Sequence, residues 1–114
     1  MVVQLACSNA ETQKISGVTN LIEEHRAALI LVERLGKRFM AAEEAEATLI
    51  GSNLDVVMAE EAAVRRRAAI APVADLREIR IKAAYFKRLM GQGWCELDHD
   101  DLHALLSSFA NVSA

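Results

Sequence analysis

From Val18 onward the chain alternates steps of three and four between its core-type positions: Val18, Leu21, His25, Ala28, Val32, Leu35, Phe39 and Ala42. That spacing keeps side chains on one face of an α-helix and forms a heptad-like seam, which Ile22 and Leu29 widen. The pattern predicts a first helix opening near Ser16, with Ser16 or Thr19 placed to cap free N–H groups. Glu23 and Glu24 stand near its positive end. The expected stop is Gly51-Ser52-Asn53, after Ile50. Such a helix would be about 48 Å long. It would project from a domain of this size or need a partner to cover it.

A second helix is expected over Leu54 to Ile70, with Ser52 and Asp55 spaced like a capping box. Leu54, Val57, Met58, Ala62 and Val64 give it an apolar side. The alternative is that residues 51–53 do not break the chain and both helices are one. Pro72 ends the second helix, and the Asp75-x-x-Glu78 pair opens a third. Leu76, Ile79, Ala83, Phe86 and Met90 line one of its faces; Arg77, Arg80, Ala84 and Arg88 line another. Gly91 stops it, and a Gly-Gln-Gly turn follows. Asp98 caps a short fourth helix whose apolar side is Leu102, Leu105, Leu106 and Phe109. The first fifteen residues show no sustained period. The chain therefore reads as a flexible arm over 1–15 and a single all-α domain over 16–114, a helical hairpin or small bundle of three longer helices plus a short C-terminal one.

Composition supports that class. The apolar fraction is 53%, much of it alanine, while aromatics are 4% and Pro72 is the only proline. This is the balance of closely packed helices rather than of a sheet. At 114 residues one core without staples is feasible. No apolar run approaches the roughly 18 residues of a membrane span. The opening stretch lacks the basic start of a secretory leader. Cys7 and Cys95 are expected to be free thiols in a reducing cytoplasm.

Net charge is −3, which argues against a general nucleic-acid binder. Its distribution is uneven. Arg65, Arg66, Arg67, Arg77, Arg80, Lys82, Lys87 and Arg88 make one stretch basic, whereas residues 23–61 carry nine acidic residues against four basic ones. The two regions are expected to face each other in the fold or across a dimer. A helix, a turn and a basic helix also outline a helix-turn-helix, in which Arg77, Arg80, Lys87 and Arg88 would meet phosphates or base edges. The turn around Pro72 lacks the glycine common in such motifs.

Three constellations could carry chemistry. His99 and His103 share a helix face with Asp100 between them, the spacing of zinc proteases, and Cys95 lies four residues upstream. Aspartate is one methylene shorter than the glutamate such sites use as base, and Asp98, Asp100 and Asp101 suit a helix N-terminus. The stretch reads as a capped helix start, so no metal or cofactor is expected there. His25 on a long helix suggests phosphotransfer, but Ala28 and Leu29 stand where polar contacts would be needed. Cys95 beside Trp94 could be a reactive thiol, yet its acidic neighbours would raise its pKa. With no phosphate loop and no nucleophile elbow, no enzyme is expected.

Two segments, "LIEEHRAA" and "APVADLREIRIKAAYFKRL", resemble short, uncharacterised bacterial helical proteins. Those pair an H-R-A segment (His25, Arg26, Ala27) with a later Pro72, a capping residue at Asp75, Leu76 and a Lys82-Ala83-Ala84-Tyr85 end. The resemblance covers about a quarter of the chain and departs from the pattern at Ala74–Asp75. It implies a bacterial, cytoplasmic, all-helical protein and no particular activity.

The expected function is that of a non-enzymatic regulatory or adaptor protein acting through helix-mediated contact with another protein, and a homodimer. Leu21, Ala28, Val32, Leu35 and Phe39 would form the interface. Arg77, Arg80, Lys87 and Arg88 would select an acidic partner. A DNA-associated regulator, and a metal-binding or phosphotransfer protein, are the alternatives.

Overall fold

The computed structural model describes residues 17–91 and 95–112. The arm over 1–15, the Gly-Gln-Gly turn's Gln92 and Gly93, and Trp94 lie outside the described residues. Among the described residues four helices follow one another: α1 (Gly17–Ala41), α2 (Glu44–Ile70), α3 (Leu76–Leu89) and α4 (His99–Ala110). There is no strand among the described residues. No described helix is long and apolar enough to cross a membrane.

The first two helices form an antiparallel hairpin whose turn falls at Ala42–Glu43, not at Gly51. Gly51, Ser52 and Asn53 lie inside α2, and the chain does not run through as one helix. Charge explains the position of the break. Arg38 occupies the last turn of α1, while Glu44 and Glu46 occupy the first turn of α2. Each suits the helix dipole where it stands. A continuous helix through Glu43 and Glu44 would forgo that gain. Glycine within α2 costs about 1 kcal/mol against alanine, but it has a packing reason. A Cβ on Gly51 would sit 3.3 Å from Cε1 of Phe39, so the missing side chain admits the ring from α1. Ser16 falls outside the described residues, and Thr19 sits within α1.

The buried seam of α1 is Val18, Ile22, His25, Leu29, Val32 and Gly36. It keeps the three-four alternation and shares Val18, His25 and Val32 with the expected stripe, but Ile22, Leu29 and Gly36 take the places of Leu21, Ala28 and Leu35, which flank it half-buried. On α2 the buried positions are Ile50, Glu61, Val64, Arg65, Ala68 and Ala69. This face mixes charges with small apolar residues. Helix α3 turns Lys82, Tyr85, Phe86 and Leu89 inward, whereas Leu76, Ala83 and Met90 are exposed. Asp75 caps it as expected, accepting from the Glu78 N–H at 2.9 Å, and the Glu78 carboxylate accepts from the Ala74 N–H. Helix α4 opens with a full capping box between Asp98 and Asp101.

Helix α3 packs on α1, and α4 packs on α2, giving extents of 54 × 41 × 18 Å. The apolar core joins Val18, Ile22 and Leu29 of α1 to Ala68, Ala69, Ala71 and Val73, to Tyr85, Phe86 and Leu89 of α3, and to Leu105 of α4. All of it lies at the base of the hairpin. Between residues 33 and 60 only Gly36 and Ile50 are buried. The outer part of the hairpin is therefore an arm packed on itself.

Candidate functional site

Alanine-rich helices leave little apolar bulk to fix their relative placement, and at the base of this hairpin a polar chain does so. His25 of α1 is fully buried and uses both ring nitrogens. Nδ1 meets the Tyr85 hydroxyl of α3 at 2.5 Å, and Nε2 meets Glu61 Oε2 of α2 at 2.6 Å. One neutral tautomer satisfies both contacts: Nε2–H donates to Glu61, and the Tyr85 O–H donates to Nδ1. Arg65, one turn along α2, donates from Nη1 to both Glu61 oxygens at 2.9 and 2.6 Å. Its Nε donates to Asp101 Oδ2 of α4 at 2.9 Å. Arg66 donates to the other Asp101 oxygen at 2.7 Å and reaches Asp98 at 3.1 Å. The series Tyr85–His25–Glu61–Arg65–Asp101 thus touches all four helices. No buried side-chain nitrogen or oxygen among the described residues lacks a partner. A buried polar network of this kind stabilises placement only when it is complete.

The charges in this network perturb one another. Burial works to lower the Arg65 pKa, but Glu61 together with Cys95 and Asp101 outweighs it and holds the group above its ordinary value. Burial alone would raise Asp101; hydrogen bonds from Arg66, the Asp98 backbone and Arg65 reverse this and hold the carboxyl below the usual range. Burial pushes the Tyr85 phenol up to about 12, against the opposing charge of Arg26, whose guanidinium lies 5.0 Å over the ring. A phenol that stays protonated is the donor His25 needs. Lys82, also fully buried, is brought down to about 8 by desolvation. Its Nζ donates to the Ala69 and Ala71 carbonyls at the end of α2 and to the Ser108 hydroxyl of α4. This contact ties α3 to the C-terminus of α2, where a cation suits the dipole.

Cys95, in the segment between α3 and α4, completes the cluster. Its Sγ lies 3.7 Å from Glu61 Oε2 and 3.6 Å from Arg65 Nη1. Burial raises its pKa, the Arg65 hydrogen bond opposes this, and Glu61 adds to the rise. The free thiol is buried and stays protonated, so it is no activated nucleophile. A cleft of about 790 Å³ opens beside it, walled by Met58, Ala62, Met90, Leu97 and Leu102, with Glu61, Arg65 and Cys95 on its lining.

The residues singled out from the sequence are scattered. Val32 is 1% exposed, because its face of α1 packs against α2 within the same chain, so it cannot anchor a second molecule. Phe39 is 41% exposed and rests one ring edge on Gly51. Arg77, Arg80, Lys87 and Arg88 are all exposed on α3. Arg65, Arg66 and Lys82 are not part of that basic surface, because internal partners take them. The expected meeting of basic and acidic regions is local: Arg65 with Glu61, and Arg67 at 3.9 Å from Glu24. His99 and His103 are exposed beside the cap. Cys95 joins His25 and Glu61 instead of them. His25, with both nitrogens engaged and no exposure, presents no face to a phosphoryl donor. Local spacing in the sequence does not mark Glu61, Arg65, Tyr85, Lys82 or Asp101 as site residues. The available signal was the placement of Glu61 and Arg65 on the same helical face as Val64 and Ala68.

No family model matches the chain, and neither a curated protein nor a solved structure matches it.

Proposed function

We propose that the protein is a non-enzymatic interaction module that pairs with a second copy of itself through the outer part of the α1–α2 hairpin. The observation that carries this reading is the unpartnered arm. Met40 and Leu49, on either side of the turn, are 76% and 72% exposed, and Phe39 and Val56 are exposed along the same arm. Apolar groups concentrated on a self-packed arm are the expected form of a helix-mediated interface. The polar chain at the base would hold the arm at a fixed angle. The interface differs from the one expected from the seam: Phe39 stays in it and Leu35 lies half-buried on the same arm, whereas Leu21 and Ala28 belong to the base of the hairpin.

Pairing through the arm leaves α3 free. Its exposed Arg77, Arg80, Lys87 and Arg88 give the pair two basic faces, suited to an acidic protein partner and, as a second reading, to DNA phosphates. Sedimentation equilibrium tests the reading. The wild type should show a concentration-dependent dimer, and Met40→Glu with Leu49→Glu should be monomeric with unchanged helix content. A wild type that stays monomeric to high concentration rejects it.

A further inference from the structure

Three buried side chains with metal-ligating atoms meet at the base of the hairpin: His25 from α1, Glu61 from α2 and Cys95 from the α3–α4 connection. One ligand atom from each lies within 4.8 Å of the other two. We propose that these three residues form a site for a thiophilic divalent transition metal, zinc above all, with the fourth position open to the adjacent cleft.

The donor set is an imidazole, a carboxylate and a thiolate, which suits zinc. Bonds of about 2.0–2.3 Å at tetrahedral angles place ligand atoms roughly 3.3–3.6 Å apart. The Cys95 Sγ to Glu61 Oε2 separation is 3.7 Å. His25 Nε2 and Glu61 Oε2, at 2.6 Å, would separate by roughly 0.7 Å as the metal enters between them. The outer contacts are in place. Tyr85 holds His25 Nδ1, the contact that fixes ring orientation in metal-bound histidines. The cleft reaches Glu61 and Cys95 and supplies both an entry path and room for a water.

Binding is balanced by one proton. The Cys95 thiol gives up its hydrogen as the sulfur–metal bond forms. The His25 hydrogen moves from Nε2 to Nδ1, the Tyr85 hydroxyl turns its own hydrogen away so that its oxygen accepts from Nδ1–H, and Nε2 binds the metal. Arg65 is the built-in competitor. Its Nη1 lies against Glu61 Oε2 and near Cys95 Sγ, so a positive charge already sits beside two of the ligands. The metal displaces that nitrogen, while Nε remains on Asp101. Arg65 therefore sets the affinity, and the bound ion clamps α1, α2 and the connection before α4 to one another.

The test is titration of the full chain with Co2+, then Zn2+, in a Cys7→Ser background, so that Cys95 is the only thiol. The expected result is one Co2+ per chain, a thiolate-to-cobalt charge-transfer band, displacement by Zn2+ and release of one proton. Cys95→Ser should abolish the band. His99→Ala with His103→Ala should leave it intact, which separates this site from the surface histidines. Tyr85→Phe should weaken binding roughly 10–100-fold. Arg65→Gln should tighten it, whereas a purely structural arginine would weaken it or have no effect. Absence of the band in the Cys7→Ser protein, its survival in Cys95→Ser, or its loss with the two surface histidines overturns the proposal.

Discussion

His25 and Tyr85, sixty positions apart in the chain, share a 2.5 Å hydrogen bond, and their rings meet edge to face. This contact joins α1 to α3, and through Glu61 and Arg65 it continues into α2 and α4. Helix placement at the base of the hairpin therefore depends on polar groups as much as on apolar bulk. That dependence makes the network measurable.

Tyr85 is the only tyrosine in the chain, so phenolate absorbance reads its titration without interference. In metal-free protein it should ionise near 12 instead of 10. The unfolded chain then loses this proton first. The stability that Tyr85 contributes is complete below pH 10 and is lost as pH rises through about 12. Ionisation near 10 in the folded state would show that the phenol is solvated and does not serve His25.

Asp101 gives the acid counterpart. Its carboxyl is held below the ordinary 3.8 by Arg66, the Asp98 backbone and Arg65, against the opposing effect of burial. A depressed folded value contributes stability that is complete above the unfolded value and lost as pH falls through the folded one. Asp101→Asn should cost about 3–5 kcal/mol at pH 7, because two arginines lose a buried partner. Urea unfolding at several pH values should show that gap closing below pH 3.8. A gap independent of pH would remove the charge from the explanation.

Gly51→Ala tests the helix boundary. A glycine ending a helix would tolerate alanine poorly, whereas one inside α2 gains up to about 1 kcal/mol of helix propensity. Contact with Phe39 Cε1 at 3.3 Å reduces that gain, but the ring is partly exposed and can shift. The expected result is a melting temperature unchanged or slightly raised. A clear fall would place a chain break at Gly51 after all.

The helices themselves were legible because their signals are local. The Asp75 and Asp98 caps and the end of α2 before Pro72 stand as read, and the three-four period from Val18 holds with Ile22, Leu29 and Gly36 buried in place of Leu21, Ala28 and Leu35. The hairpin turn falls nine residues before the expected stop at Gly51 because a glycine is a generic stop signal, whereas the signal that marks the true turn is the change of charge from Arg38 to Glu44 and Glu46. The site was hidden for a different reason. Periodicity assigns charged residues to the surface, yet Glu61, Arg65, Lys82 and Asp101 are buried. What makes their burial affordable is a set of partners on other helices, up to 36 positions away for Arg65 and Asp101. Pairings of that range leave no trace in local spacing. The same blindness joined Arg65, Arg66 and Lys82 to the exposed basic face.

Amide hydrogen exchange at increasing protein concentration tests the central claim most directly, since it reports where copies of the chain meet. Pairing through the arm predicts slowing that grows with concentration and is confined to residues 33–60, with no change around His25 and Tyr85. Exchange independent of concentration throughout, or slowing centred on Arg77 to Arg88 of α3, would contradict it.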